Sequence, residues 1–186
     1  AFYGEPSKKL TVVGITGTKG KTTTTYMIKS MLEAAGHKTG LIGTIESIVG
    51  DKVTPASNTT PESIVIQKTL HEMVEAGLDS VVMEVSSQGL MLDRVAGIDF
   101  DYGIFTNLSE DHIGPNEHKD FAEYLGWKAK LFTLCKTGIF NVDDTYCEDI
   151  LKGHTCEVIT YGEKDGSDYP AEDLHLYKKD GELGIT

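Results

Sequence analysis

The chain has 186 residues, of which 39% are hydrophobic and 25% are charged, an ordinary balance for one globular domain. Its formal net charge of -12 argues against a nucleic-acid surface, because such surfaces neutralise phosphates with Lys and Arg. No stretch approaches the roughly 20 apolar residues of a membrane span, and the three cysteines form no CxxC pair, which favours reduced thiols and a cytoplasmic location.

The chain begins with a pattern typical of a strand, a glycine-rich turn and a helix. Residues 10–15 (LTVVGI) form a short apolar run followed at once by glycines, which indicates a buried strand. Apolar residues at helical spacing over 21–35, ended by Gly36, predict a helix.

Further strands and helices follow in alternation. Thr60 is predicted to cap a helix that has Pro61 at its first position and ends at Gly77. Apolar residues from 121 to 135 recur on one helical face and predict another helix. The predicted strands are residues 39–43, a hairpin over 44–54 that turns at Gly50 and Asp51, Ser80–Glu84, 101–106 and 138–142.

This alternation predicts an α/β fold of the P-loop type, with a mostly parallel sheet and helices on both faces. After Tyr161 the sequence becomes polar and turn-rich, which predicts a small β-hairpin region. We therefore predict a main domain over residues 1–162 and a truncated β-like extension of it over 163–186. A start without Met and an end inside a hairpin indicate a piece of a longer protein.

Polar segments follow directly after four of the predicted strands. In open α/β sheets, ligands lie beyond the carboxyl ends of the strands, so we expect these segments to meet at one edge. They are residues 16–22, 84–87, 107–112 and 141–144.

The first of these segments has the composition of a phosphate-binding loop. Glycines let backbone N–H groups surround phosphate oxygens, Lys21 would reach the β- and γ-phosphates, and the Thr22 hydroxyl would bind Mg²⁺. Ile15 stands where the standard pattern has glycine, so the loop is a variant, and a plain glycine-rich turn is the alternative. The predicted nucleotide-binding residues here are Gly17, Thr18, Lys19, Gly20, Lys21, Thr22 and Thr23.

Glu84 ends an apolar strand, where a carboxylate is costly unless it is paired or bound to a cation. Strand-end acids that face a P-loop hold Mg²⁺ in such enzymes. A magnesium ligand is therefore predicted at Glu84, and a surface acid is the alternative.

Lys128 falls on the apolar face of the predicted helix over 121–135, whereas Lys130 falls off it. An inward lysine must snorkel, form an ion pair or change its chemistry. Desolvation lowers the lysine pKa, and a neutral amine can capture CO₂ as a carbamate, which is an anionic oxygen ligand suited to Mg²⁺. Periodicity alone leaves all three outcomes open.

Arg94 could bind a substrate carboxylate through two hydrogen bonds, and an ion pair with Asp93 or Asp99 is the alternative. His112 could be a polar loop residue, because Mg²⁺ prefers oxygen ligands. The remaining histidines are read as surface or packing residues, namely His37, His71, His118, His154 and His175.

The chain resembles the Mur ligase family in five motifs that occur in the family's order between about residues 10 and 145. They are GTKGKTT (17–23), NTTPE (58–62), MEVSSQGL (83–90), TNLSEDH (106–112) and YLGWKAKLF (124–132). The likeness is greatest to members that add the third residue of the peptidoglycan stem peptide. Lys19 stands where Asn is common, and Gln88 where His is common.

The resemblance implies the central ATP-binding domain, with the family's N-terminal UDP-binding domain and its C-terminal domain absent. It also implies two Mg²⁺ ions, one held by Thr22 and Glu84 and one by His112 and a carbamylated Lys128. The implied substrate-binding residues are Thr59, Thr60, Ser86 and Arg94. Asn107 and Asp111 would shape the site, with Asn107, Asn141 and Asp144 near the nucleotide.

The activity implied by the resemblance is ATP-dependent amide-bond formation through an acyl phosphate. L-lysine or meso-diaminopimelate would be joined to UDP-N-acetylmuramoyl-L-Ala-D-Glu by a cytoplasmic monomer without nucleic-acid partners. Alternatives are a ligase of the folylpolyglutamate or cyanophycin synthetase type, and a non-catalytic nucleotide-binding module. The NTTP and SSQGL segments favour the muramyl substrate, and retention of a second metal site argues against a mere binding module.

Overall fold

The computed structural model describes residues 2–111, 113–115, 117–172, 174–179 and 182–185. Its strands are β1 (Thr11–Thr16), β2 (Thr39–Ile42), β3 (Glu46–Val49), β4 (Lys52–Pro55), β5 (Ser80–Glu84), β6 (Phe100–Phe105), β7 (Cys135–Asn141), β8 (Glu157–Gly162), β9 (Tyr169–Pro170), β10 (Leu176–Lys179) and β11 (Glu182–Ile185). Its α-helices are α1 (Lys21–Ala34), α2 (Ser63–Glu75), α3 (Ser87–Met91), α4 (Phe121–Ala129) and α5 (Cys147–Leu151), with 3-10 turns at Pro6–Lys9 and Lys130–Thr133. Within the described ranges, no helix has the length and apolar character needed to cross a membrane.

The described residues form a nine-stranded sheet in the order β4-β3-β2-β5-β1-β6-β7-β8-β9. Across this sheet, neighbouring strands are parallel from β2 through β5, β1, β6, β7 and β8 to β9. Strands β3 and β4 extend the other edge with antiparallel pairing. Strand β1 lies between β5 and β6, which come from later and separate parts of the chain. Ligands of such sheets bind outside the carboxyl end of the strands at this kind of switch point, so the end of β1 is where a site is expected.

Helices cover both faces of the sheet, which confirms the predicted α/β class. Helix α1 covers one face, where Ile28 and Leu32 pack against a cluster that includes Val13 and Ile15. The opposite face carries the larger core, and burying each large side chain there contributes about 1.5–3 kcal/mol. That core includes Ile66, Leu70 and Met73 of α2, Leu90 of α3, Tyr124 of α4 and Ile150 of α5.

Each strand predicted from the sequence is present, with ends that shift by a few residues. The glycines predicted to end helices or make turns have left-handed backbone, with φ of 94° at Gly36, 58° at Gly50 and 73° at Gly77. The three cysteines are free and buried. Strands β10 and β11 pair with each other in antiparallel fashion, and the division of the chain at residue 162 stays a prediction.

The predicted cap at Thr60 is wrong. Helix α2 begins at Ser63, and its N-cap residue Glu62 makes no side-chain capping bond. The buried Thr60 hydroxyl instead donates to the Glu84 carbonyl at 3.1 Å and accepts from the Ser86 N–H at 2.9 Å. A bond to the neighbouring strand end therefore takes the place of the local cap.

The helix predicted over 121–135 is also too long. Helix α4 ends at Ala129, and the 3-10 turn Lys130–Thr133 leads into β7. Leu131 and Phe132 are fully buried in the same core as α4, so the apolar pattern continued past the end of the helix.

Candidate functional site

The loop between β1 and α1 is held in place by the segment that follows β6. Thr18 N–H donates to the Asn107 carbonyl at 2.8 Å, and Lys19 N–H donates to Asn107 Oδ1 at 2.9 Å. Gly17 has φ of 151°, and a Cβ built there would lie 2.0 Å from Thr106 Oγ1. Glycine is therefore required at position 17 by the close approach of the segment after β6, and also by the positive φ of its backbone.

We expect Gly17→Ala to lower the free energy of unfolding by about 2–4 kcal/mol, because the added methyl must displace Thr106 and the backbone is strained. Gly20→Ala is the matched control. Gly20 also has positive φ, of 81°, but a Cβ there meets nothing within 4 Å, so only the strain of about 1–2 kcal/mol applies. Urea unfolding of both variants measures the difference, and equal losses would contradict the steric explanation.

Lys21 lies over this loop. Its Nζ donates to the Gly17 carbonyl at 2.8 Å and to the Thr18 carbonyl at 3.1 Å. Burial lowers the pKa of Lys21, and the nearby Glu84 carboxylate opposes that effect. The Lys21 ammonium therefore lies beside the loop, where it can exchange these carbonyl acceptors for a bound anion.

Glu84 is almost fully buried and accepts several hydrogen bonds. Thr22 Oγ1 lies 3.0 Å from Oε1 and 3.1 Å from Oε2, while Thr44 donates its N–H to Oε1 at 2.8 Å and its hydroxyl to Oε2 at 2.9 Å. Two neighbouring oxygens on an octahedral Mg²⁺ at about 2.1 Å are about 3 Å apart. The spacing of Thr22 and Glu84 therefore fits the predicted magnesium ligands.

Lys128 points inward, as predicted, and is only 1% exposed. Its Nζ donates to the Gly17 carbonyl at 2.8 Å and lies 4.6 Å from the centre of the Tyr124 ring. Burial of the ammonium, together with repulsion from Lys21, holds the pKa of Lys128 well below its usual range, while Asp111 opposes the shift. Snorkelling is therefore wrong for Lys128, and carbamylation stays a prediction.

The four residues predicted to bind substrate line one cavity of about 320 Å³ together with Lys21 and Lys128. Thr59 Oγ1 lies 3.1 Å from Thr44 Oγ1, and Ser86 Oγ lies 3.1 Å from Thr60 Oγ1 and accepts from the Gly89 N–H that opens α3. The cavity is lined by Lys21, Thr44, Ser57, Asn58, Thr59, Thr60, Ser86, Ser87, Gln88, Arg94 and Lys128.

Arg94 reaches this cavity with its guanidinium held at two points. Nη1 donates to the Thr60 carbonyl at 3.1 Å, and Nη2 pairs with Glu62 Oε1 at 2.7 Å. The alternative expectation of an ion pair with Asp93 or Asp99 is wrong, because Arg94 pairs with Glu62.

The predicted residues Asn107, Asn141 and Asp144 tie neighbouring strand ends together. Asn107 Nδ2 donates to the Lys19 carbonyl at 3.0 Å, and Asn141 Nδ2 donates to the Thr106 carbonyl at 2.8 Å. Asp144 Oδ2 accepts from the Leu108 N–H at 2.9 Å. They border the loop, and their contact with a nucleotide stays a prediction.

His112 lies outside the described residues, so its predicted metal role stays a prediction. Its neighbour Asp111 accepts from Lys19 Nζ at 2.9 Å, next to the loop. Within the described parts of the chain, no group of three His, Cys, Asp or Glu side chains could hold a metal. A magnesium site at Thr22 and Glu84 does not require such a group of three side chains, because Mg²⁺ keeps several waters and binds substrate phosphates.

Thr44 and Tyr124 were missed by the sequence reasoning. Thr44 follows β2 at the same sheet edge as the other polar segments, so the strand-end rule could have found it. Tyr124 lies one helical turn before Lys128, and its hydroxyl is 3.1 Å from Thr18 Oγ1. Buried His118 contacts Ser87 Oγ through Nε2 at 2.8 Å, in keeping with a packing role.

The parallel sheet, the glycine loop at the end of β1 and the strand-end glutamate define an α/β domain of the P-loop type. A family model described as the Mur ligase middle domain matches residues 15–186. The chain belongs to the Mur ligase family, in which it corresponds to the middle domain.

Curated relatives agree with this membership. Over 184 residues the chain is 48% identical to UDP-N-acetylmuramoyl-L-alanyl-D-glutamate–2,6-diaminopimelate ligase of Clostridium tetani, covering 99% of this chain and 38% of the relative. The protein of the same name in Bacillus cereus is 43% identical over 182 residues, covering 93% of this chain and 37% of the relative. The chain thus spans well under half the length of these relatives.

Solved structures share the fold. A structure of UDP-N-acetylmuramoyl-L-alanyl-D-glutamate–2,6-diaminopimelate ligase superposes with a TM-score of 0.81 at 27% identity, covering 89% of this chain and 34% of that one. Folylpolyglutamate synthase of Mycobacterium tuberculosis superposes with a TM-score of 0.69 at 17% identity, covering 99% and 48%. At that identity the second likeness concerns the fold alone.

Proposed function

We propose that this chain is the ATP-binding domain of an amide ligase that adds the third amino acid to UDP-N-acetylmuramoyl-L-Ala-D-Glu. The observation that carries the proposal is the single cavity that joins Lys21 and Lys128 to Thr59, Ser86 and Arg94. The names of the relatives favour diaminopimelate over L-lysine as the added amino acid. We extend the proposal to a cytoplasmic monomer.

The reaction begins with an electrostatic problem, because an anionic carboxylate must approach an anionic triphosphate. The substrate carboxylate attacks the γ-phosphorus, forming an acyl phosphate while ADP leaves. The amine of the incoming amino acid then attacks the acyl carbon, phosphate leaves, and the amine loses a proton. Lys21 neutralises the transferring phosphoryl group, and Arg94 orients the substrate through its carboxylate.

Thr22 and Glu84 would hold one Mg²⁺, and His112 with a carbamylated Lys128 would hold the second. The ions would supply further positive charge at the phosphates. The buried amine of Lys128, with its depressed pKa, favours carbamate formation, in which nitrogen bonds to the carbon of CO₂ and loses a proton. The remaining N–H can still donate to the Gly17 carbonyl. Electron density extending beyond Nζ of Lys128 in a crystal structure would test the carbamate.

A phosphate-release assay on the natural full-length protein, with ATP and Mg²⁺, tests the function. We expect release with UDP-N-acetylmuramoyl-L-Ala-D-Glu plus diaminopimelate, and much less when L-lysine replaces diaminopimelate. Release with a folate and glutamate, but not with the muramyl dipeptide, would favour the folylpolyglutamate type. Absence of release with every substrate pair would favour a nucleotide-binding module.

A further inference from the structure

Thr44 contacts both Glu84 and Thr59. The proposed function assigns Mg²⁺ to Glu84 and the muramyl substrate to Thr59. Its backbone N–H and its hydroxyl bond the two oxygens of the Glu84 carboxylate, at 2.8 and 2.9 Å. The same hydroxyl lies 3.1 Å from Thr59 Oγ1 in the cavity assigned to the muramyl substrate. One side chain therefore links the metal carboxylate to a substrate-binding hydroxyl.

The backbone around Thr44 holds this residue next to Glu84 and Thr59. Gly43 N–H donates to the Glu46 carbonyl at 3.0 Å, closing the turn from β2 into β3. A Cβ at Gly43 would lie 2.7 Å from Glu84 Oε1, so glycine allows the turn to approach the carboxylate. The Thr44 hydroxyl consequently meets Glu84 and Thr59 from a fixed position.

A hydroxyl has one hydrogen to donate, and Thr44 has two acceptors within reach. The charged Glu84 oxygen is the stronger acceptor, so Thr44 donates to Glu84 rather than to Thr59 while the carboxylate keeps its full charge. When Glu84 shares that charge with a cation, its hold on the hydrogen weakens. Thr44 can then donate to Thr59, which polarises the Thr59 hydroxyl and strengthens it as a donor to a substrate oxygen.

We propose that Thr44 is a positioning residue that couples cation and nucleotide binding at Glu84 to substrate binding at Thr59. The coupling rests on the proposed function, because that function assigns the cation and nucleotide to Glu84 and the substrate to Thr59. Linkage is reciprocal, so each ligand should raise the affinity for the other by the same factor.

Calorimetric titration of the natural full-length protein tests the coupling. The Kd of UDP-N-acetylmuramoyl-L-Ala-D-Glu is measured alone and then with Mg²⁺ and a non-hydrolysable ATP analogue. We expect the ligands to lower Kd at least about fivefold in the wild type, the low end of typical coupling. The factor should fall to about one to two in Thr44→Val, which keeps the backbone donor, and return in Thr44→Ser, which restores the hydroxyl.

Thr39→Val is the matched control. Thr39 begins β2, the strand that leads to Thr44. It is buried, and its hydroxyl lies 2.8 Å from Ser80 Oγ, away from the site. This variant should lose stability yet keep the wild-type factor.

An unchanged factor in Thr44→Val, a factor near one in the wild type, or loss of the factor in Thr44→Ser would each overturn the coupling alone. If the wild-type protein does not bind the muramyl dipeptide at all, the proposed function fails, and the coupling fails with it.

Discussion

Replacing Lys21 with alanine is expected to lower kcat/KM for ATP-dependent phosphate release by about 10³-fold. The Lys21 ammonium lies 2.8 Å from the Gly17 carbonyl, directly over the loop that would hold the triphosphate. Loss of one preorganised charge at a developing anion has effects of about 10²- to 10³-fold in other enzymes, and under the proposed function Lys21 would also contribute to nucleotide binding. Steady-state phosphate release in the natural full-length protein measures the effect.

Lys19→Ala is the control within the same loop. The Lys19 side chain is 74% exposed and pairs with Asp111 at the surface. Lys19 is predicted to meet phosphates through the loop backbone, which alanine keeps, so we expect at most a few-fold loss. Glu84→Ala, which removes the carboxylate proposed to hold Mg²⁺, should resemble Lys21→Ala. Activity that survives both Lys21→Ala and Glu84→Ala would contradict the ligase proposal.

Replacing Lys128 with methionine is expected to abolish activity while leaving the fold as stable as the wild type or more so. Lys128 is 1% exposed, and an apolar side chain of similar volume needs no compensation for a buried charge. We expect the free energy of unfolding at neutral pH to rise by up to about 2 kcal/mol, less what the bond to Gly17 contributes. Urea unfolding and phosphate release on the same preparation separate the two effects.

The pH dependence of stability gives a second signature for Lys128 in protein whose Lys128 amine carries no carbamate. Its folded-state pKa is depressed below the usual 10.5, so the unfolded chain binds more protons between the folded-state pKa and 10.5. The stability contribution of Lys128 is therefore lowest below the folded-state pKa and rises with pH across that window. The advantage of Lys128→Met over wild type should shrink accordingly, and an advantage independent of pH would contradict a buried cation.

Lys130→Met controls for removal of a lysine from the same segment. The Lys130 side chain is 37% exposed and pairs with Asp93, so we expect nearly wild-type activity and stability. A loss of activity equal to that of Lys128→Met would indicate damage to the segment rather than loss of a specific ligand.

The sequence predicts those parts of the site that depend on local pattern. The glycine loop, Glu84 at a strand end and the inward Lys128 each follow from periodicity or from position relative to a strand. Parallel pairing then brings their segments to one edge, with Ile15 opposite Glu84 in the β1–β5 register.

Contacts between distant segments escape such reasoning. Arg94 pairs with Glu62, and these two residues lie on either side of β5 in the sequence. The fold of the chain brings them together, so the residues next to Arg94 in sequence do not predict its partner. Thr60 illustrates the same limit, because its local surroundings favour a helix cap and only the position of Ser86 in space explains its actual bonds.

The Gly17 carbonyl accepts from the Nζ atoms of both Lys21 and Lys128, each at 2.8 Å. The loop thus satisfies the ammonium of Lys21, with the Thr18 carbonyl as a second acceptor. When an anion departs, Lys21 can fold back onto these oxygens instead of remaining buried without an acceptor. Under the proposed function, product escape would then end in an arrangement in which the Lys21 ammonium keeps its acceptors, and this would limit how tightly ADP is retained.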